Sequence, residues 1–316
     1  MSENNAEQMG QNVDILTTDN NEVQTAGSEP AKKVRVGYIF LSVIPVAVLI
    51  MIQSFCQMPF FFMAGYDLIQ SGQDITSDAV DFMEKLITTF TDKYGLYAYL
   101  SYSVIALVVF FIWYFKGFVK KGRKVKLGEI FGFKSVLASI GVVIGLNLAI
   151  SAAFTLAIWF FPDAMNAYAK LVEQAGLGNN VLITVIYAII LGPVVEELCL
   201  RGVTYGYLEK SGIKPAFIIL ISGILFGVMH LNLIQGIYAS VLGFFLGFLR
   251  YKYRSILLPL VTHILFNLMG TYGDAALERI GMGDGVVLIL GGLALFVLVF
   301  SVVLVNGDKK AVKSES

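Results

Sequence analysis

The sequence predicts an all-α, polytopic membrane protein with about eight transmembrane helices, and three observations lead there. Hydrophobic residues make up 57% of the 316 and charged residues only 15%, with a mean hydropathy of +0.74, whereas a soluble globule carries roughly a quarter charged residues. The apolar residues are gathered into runs near the roughly 20 that a helix needs to cross about 30 Å of hydrocarbon. Basic and acidic residues also alternate from one connection to the next, as they do on opposite faces of a bilayer.

Taken in order, residues 1–34 are rich in Asn, Gln, Glu, Asp and Thr and bury too little apolar area to offset the entropy of ordering, so they read as a disordered tail. Lys32, Lys33 and Arg35 then precede an apolar run much longer than a signal-peptide core, which reads as an anchor and not as a cleaved leader. Candidate spans cover 37–63, 95–115, 135–161, 181–202, 215–232, 234–249, 255–272 and 286–305. The chain thus divides into the tail, an N-terminal pair of spans (35–134), a helical bundle (135–308, motif core 181–270) and a second tail (309–316). Lys116 to Lys126, Lys210 with Lys214, Arg250 to Arg254, and Lys309 to Lys313 follow even-numbered spans, while Asp67 to Asp92, Asp163 with Glu173, and Asp274 to Asp284 lie between the others. By the positive-inside rule this is a multi-pass cell-membrane protein with both termini cytoplasmic. Within the acidic outer loop, residues 76–91 have the apolar spacing of an amphipathic interfacial helix.

The charge balance excludes one class of partner. Twenty-three Lys and Arg against twenty-three Asp and Glu leave no net charge, hence no basic footprint for nucleic acid. Cys56 and Cys199 both sit in apolar runs, so neither a disulfide framework nor a paired-cysteine zinc site is available. Membrane lipid is the environment the composition implies.

Ionisable residues near the bilayer centre cost roughly 2.5–3.5 kcal/mol on insertion scales and mark function by default. Span four carries Glu196, Glu197 and Arg201, span five carries Phe226 and His230, and span seven carries His263 and Asn267. The chain's two histidines are both intramembrane. Glu197 and Arg201 stand at i and i+4 and can neutralise each other, while Glu196 points about 100° away around the helix. His263 and Asn267 are likewise i and i+4. Singly, each has a bland reading: a self-neutralising pair that fixes packing, an arginine that snorkels, or a histidine that bonds helix to helix. Together, a free carboxylate, two imidazoles and an amide on three helices point to chemistry.

A desolvated carboxylate can act as a general base on water, and an imidazole with an amide can donate to a developing oxyanion. The sequence has no nucleophile elbow, no HExxH helix and no phosphate-binding glycine loop, so water is the nucleophile. The competing readings are a proton-coupled transporter, which no inverted repeat supports, and a noncatalytic scaffold or immunity protein.

The EExxxR of Glu196, Glu197 and Arg201, the FxxxH of Phe226 and His230, and the HxxxN of His263 and Asn267, in this order, resemble the three signature motifs of the CPBP family. That family comprises type II CAAX prenyl endopeptidases and bacteriocin-processing or self-immunity proteins, and is also called the Abi family. The resemblance implies a helical bundle enclosing a polar cavity and an intramembrane endopeptidase acting on a peptide or membrane-protein substrate. In it Glu196 and His230 activate water, His263 and Asn267 form the oxyanion site, and Glu197, Arg201 and Phe226 support them. The family is often labelled a metalloprotease, but this sequence offers no unambiguous ligand triplet with zinc spacing and favours no metal cofactor, with zinc held by Glu196, His230 and His263 as the alternative.

Overall fold

The computed structural model describes residues 33–72, 79–119, 126–174, 184–279 and 281–308. The expected tails, up to residue 32 and from 309 to 316, lie outside the described residues. Every regular element among those described is helical. The first span is α1 (Val36–Leu41) followed by α2 (Ile44–Gln70), α2 having a proline at its first turn where the missing N–H costs nothing. Next come α3 (Ala79–Thr89), α4 (Gly95–Gly117), α5 (Leu127–Ile130), α6 (Phe133–Phe160) and α7 (Pro162–Gln174). The motif helix alternates in hydrogen-bond pattern: π-helical over Thr184–Leu191, α8 (Gly192–Glu197), π-helical again over Leu198–Thr204, then α9 (Tyr205–Ser211). The remaining helices are α10 (Pro215–Val228), α11 (Leu233–Tyr253), α12 (Leu257–Arg279) and α13 (Asp284–Asn306).

Each of the eight apolar runs is mainly helical over its described residues, and the protein is a polytopic membrane protein. Five helical stretches are long and apolar enough to cross a membrane: Val36–Gln70, Ala79–Gly117, Phe133–Phe160, Leu233–Tyr253 and Asp284–Asn306. Pro215–Val228 and Leu257–Gly273 are shorter apolar helices.

Three boundaries differ from the sequence reading. The expected interfacial helix over 76–91 is no separate element, because α3 continues through a π-helical turn, Phe90–Tyr94, into α4. Packing on α2 explains this: the Phe61 and Phe90 rings lie 4.6 Å apart, and Asp67 on α2 takes hydrogen bonds from Lys93 and Tyr94. Span four continues beyond residue 202 to Ser211, where Gly212 ends it in the left-handed conformation (φ 77°) that glycine adopts without strain. Span five stops at Val228, not at 232. Its 14 residues rise only about 21 Å at roughly 1.5 Å each, short of a full bilayer core.

Close helix contacts are made where side chains are absent. On α6, Gly141 and Gly145 face Ser301 and Leu298 of α13, a small-xxx-small seam. Between α10 and α11, a Cβ on Gly243 would sit 2.8 Å from the Gly223 Cα. The motif helix is the axis of the bundle: every residue from Leu198 to Gly206 is buried. Its apolar side chains join Phe110 of α4, Leu146 of α6, Phe226 of α10 and Leu246 of α11 in the main core.

Candidate active site

The site begins with the helical spacing of the motif helix. Arg201 Nη1 donates to Glu197 Oε1 at 2.8 Å, both side chains being almost wholly buried. Arg201 Nη2 donates to the Gly243 carbonyl at 3.0 Å, a bond that the side-chain-free Gly223/Gly243 crossing allows. The guanidinium also lies over the Phe226 ring, 4.6 Å from its centroid, where a desolvated cation–π contact contributes about 2 kcal/mol. The arginine therefore does not snorkel; three helices enclose it.

His263 enters this arrangement from α12. Its Nδ1 donates to Glu197 Oε1 at 3.1 Å, and its Nε2 stands 3.6 Å from Glu196 Oε2. Since a carboxylate oxygen only accepts, the Nδ1 proton belongs to the ring. The second nitrogen faces Glu196 at ion-pair distance, too long for a hydrogen bond. Glu196 keeps 19% of its side chain exposed while Glu197 keeps 1%, so of the adjacent carboxylates Glu196 is the one open to a reactant. The run Arg201, Glu197, His263, Glu196 is one continuous chain of charged and hydrogen-bonding groups.

His230 lies just past the end of α10, half-buried, with Nδ1 2.8 Å from the Phe226 carbonyl. A carbonyl also only accepts, so Nδ1 carries the proton and Nε2 presents its lone pair when the ring is neutral. The Phe226 ring meets His230 and His263 edge-on, at centroid distances of 5.1 and 5.3 Å. One aromatic ring thus contacts both imidazoles and the guanidinium, which makes Phe226 the hub of the site. Leu231, next in sequence, adopts φ 53°, a conformation that costs a non-glycine residue about 1–3 kcal/mol and clusters at functional sites.

Two expectations change. Glu196 does not face both histidines: it stands beside His263, and no ion pair or hydrogen bond among the described residues joins it to His230. His263 is not placed as an oxyanion donor, because each of its nitrogens already faces a carboxylate. Asn267 Nδ2 donates to the Ala188 carbonyl at 2.8 Å, which uses one of its two hydrogens and leaves the other. Zinc fits poorly. Glu196 and His263 supply a pair of donors, and among the described residues no group of three or more His, Cys, Asp or Glu side chains is arranged to hold a metal.

Sequence reasoning missed two residues near this site. Asn147 on α6 donates to the Val143 carbonyl at 2.9 Å and faces α12 beside Gly270; an amide within an apolar span was its signal. Arg250 closes α11 within a basic run that reads as a loop charge in sequence, yet it is buried at 6% exposure.

The structure thus defines a class: a membrane protein of helical build with a carboxylate–histidine pair among its apolar helices. Comparison with known proteins agrees. Residues 178–269 match the family model described as type II CAAX prenyl endopeptidase Rce1-like, so the resemblance read from the motifs holds over that segment. The chain is 32% identical over 84 residues to the Bacillus subtilis (strain 168) protein named "Putative membrane peptidase YdiL". That alignment covers 26% of this chain and 34% of the relative, so the match spans about a third of the relative's length. No solved structure matches the chain.

Proposed function

We propose that the protein is an intramembrane endopeptidase that hydrolyses a peptide bond of a membrane-associated or peptide substrate, with water as nucleophile. The observation that carries this reading is His263 held between Glu196 and Glu197, inside the segment that matches the endopeptidase family. Glu196 takes a proton from water as the oxygen attacks the carbonyl carbon. His263, oriented by Glu197, stabilises Glu196 through the change in charge. His230 Nε2 holds the attacking water, and the second hydrogen of Asn267 Nδ2 donates to the oxyanion. Collapse of the tetrahedral intermediate breaks the C–N bond, and the proton held by Glu196 passes to the leaving amine.

The orientation proposed with this activity has both termini in the cytoplasm and a cell-membrane location. A reporter active only outside the cell is expected to be silent when fused after Lys126 or after Lys313, and a signal from either fusion would reverse the assignment.

The activity is tested by comparing membrane peptides of cells carrying the wild-type chain and Glu196→Gln. Turnover is expected to fall on the order of 100-fold or more, the range of general-base loss, with folding unchanged. Identical fragment patterns in the two strains would remove the base from the mechanism and favour a noncatalytic role.

A further inference from the structure

Arg250 makes contacts that the proposed chemistry leaves unused. It belongs to the basic run that closes α11, but whereas Lys252 and Arg254 are half-buried, Arg250 turns inward. Its Nε donates to the backbone carbonyl of Arg201 at 3.1 Å. Its guanidinium lies 4.9 Å from the Tyr205 ring centroid, and Nη2 reaches the exposed Glu209 at 3.5 Å. Two turns earlier on the same face of α11, the Gly243 carbonyl receives Nη2 of Arg201. The helix therefore holds Arg201 twice: a carbonyl takes its side chain, and a side chain takes its carbonyl.

The place where the hold is applied matters. Arg201 lies in the π-helical stretch Leu198–Thr204, and the glutamates occupy the short α8 between two such stretches. π-Helical turns are rare, occur at functional sites, and redirect the side chains around them. A carbonyl in such a turn, gripped from a neighbouring helix, sets how the preceding residues are presented to α12. From Arg201 the connection runs to Glu197 Oε1, from there to His263 Nδ1, and on to Glu196.

We propose that Arg250 is a positioning residue for the proposed peptidase site. By donating Nε–H to the Arg201 carbonyl it locks the π-helical register of the motif helix, and so the Glu197–His263 hydrogen bond. This rests on the endopeptidase reading for its meaning in catalysis, but the geometry itself is testable without substrate. Glu209 is the weaker arm, exposed and at 3.5 Å, so the directional bond to the carbonyl carries the effect, not the ion pair.

The test uses the chain's two histidines. In full-length protein labelled with ¹⁵N-histidine and held in lipid nanodiscs, the Nδ1–H resonance of His263 reports its bond to Glu197, and that of His230 serves as internal reference. Arg250→Met is expected to move or broaden the His263 resonance and leave His230 in place, while Glu209→Gln changes neither. Should Arg250→Met not accumulate as folded protein, Arg250→Lys, which keeps the charge but lacks the Nε–H donor, is read in the same way. An unmoved His263 resonance in a folded Arg250 variant, or the same shift from Glu209→Gln, would overturn the proposal. On any substrate whose cleavage Glu196→Gln abolishes, Arg250→Lys is expected to lower kcat on the order of 10- to 100-fold with little change in KM, as misplacement of reacting groups does. Equal loss in both parameters would also count against it. If no such substrate exists, the endopeptidase reading fails while the resonance test still decides the positioning role.

Discussion

Two charged clusters in this molecule have nearly the same bond lengths and opposite significance. Near the junction of α3 and α4, Asp67 takes hydrogen bonds from Lys93 at 3.0 Å and Tyr94 at 2.8 Å, with 61% of the lysine side chain exposed. On the motif helix, Glu197 takes hydrogen bonds from Arg201 at 2.8 Å and His263 at 3.1 Å, with side-chain exposures of 1%, 0% and 3%. Distance does not separate the clusters; surroundings do. An exposed pair gains little over its solvated parts, whereas removing one member of a buried pair strands the other in a low-dielectric site. The first cluster ties α2 to the helix that follows it. The second joins four groups into a chain that ends on a carboxylate open to reactants.

Substitutions can break or sharpen this contrast. The largest effect belongs to the open end of the buried chain, where Glu196→Gln is expected to remove turnover and leave the unfolding midpoint alone. Next comes Glu197→Gln, which leaves Arg201 buried without its countercharge and is expected to lower stability by about 3–5 kcal/mol, measured by thermal unfolding in detergent. Activity per folded molecule should fall too, because His263 loses the charged acceptor on Nδ1. Adding Arg201→Met should return part of the stability but none of the activity, giving a non-additive cycle. Additive effects would mean that the two side chains are not coupled.

Gly243→Ala probes the crossing that lets Arg201 reach its carbonyl. The new Cβ would lie 2.8 Å from the Gly223 Cα and 3.1 Å from its carbonyl oxygen, backbone atoms that yield only if α10 and α11 separate. A loss of about 1–3 kcal/mol is expected, as for overpacked cores, and an unchanged midpoint would show that the crossing is loose. The smallest effect falls on the exposed cluster. Asp67→Asn is expected to leave both the unfolding midpoint and turnover within measurement scatter, and a loss as large as that of Glu197→Gln would erase the distinction drawn between the two.

Much of the motif helix was legible in the sequence because helical spacing is local. The i,i+4 relation of Glu197 and Arg201 predicted their pairing, and the 2.8 Å bond is there. The end of α10 was not legible: the run stays apolar past Val228, and the stop is made at Leu231, a residue with no intrinsic tendency to break a helix. One neighbouring signal was available. Asn232 accepts a hydrogen bond from the Gln235 N–H at 2.9 Å, and an Asn followed three residues later by Gln is a helix-start pattern that places the beginning of α11 at Leu233.

By itself, then, the sequence determined the all-helical class, the eight apolar runs, the three helices that carry the ionisable motif residues and the pairing within one of them. These follow from composition and from contacts three or four residues apart, which the helix repeat dictates. Tertiary structure alone decided that His263 bonds a glutamate 66 residues away, that Phe226 contacts both imidazoles, and that Arg250 leaves the surface for the Arg201 carbonyl. Those outcomes depend on where helices cross and where each one ends. Close glycine contacts and π-helical turns set both, shifting a side chain by ångströms around and along its helix without altering the apolar pattern.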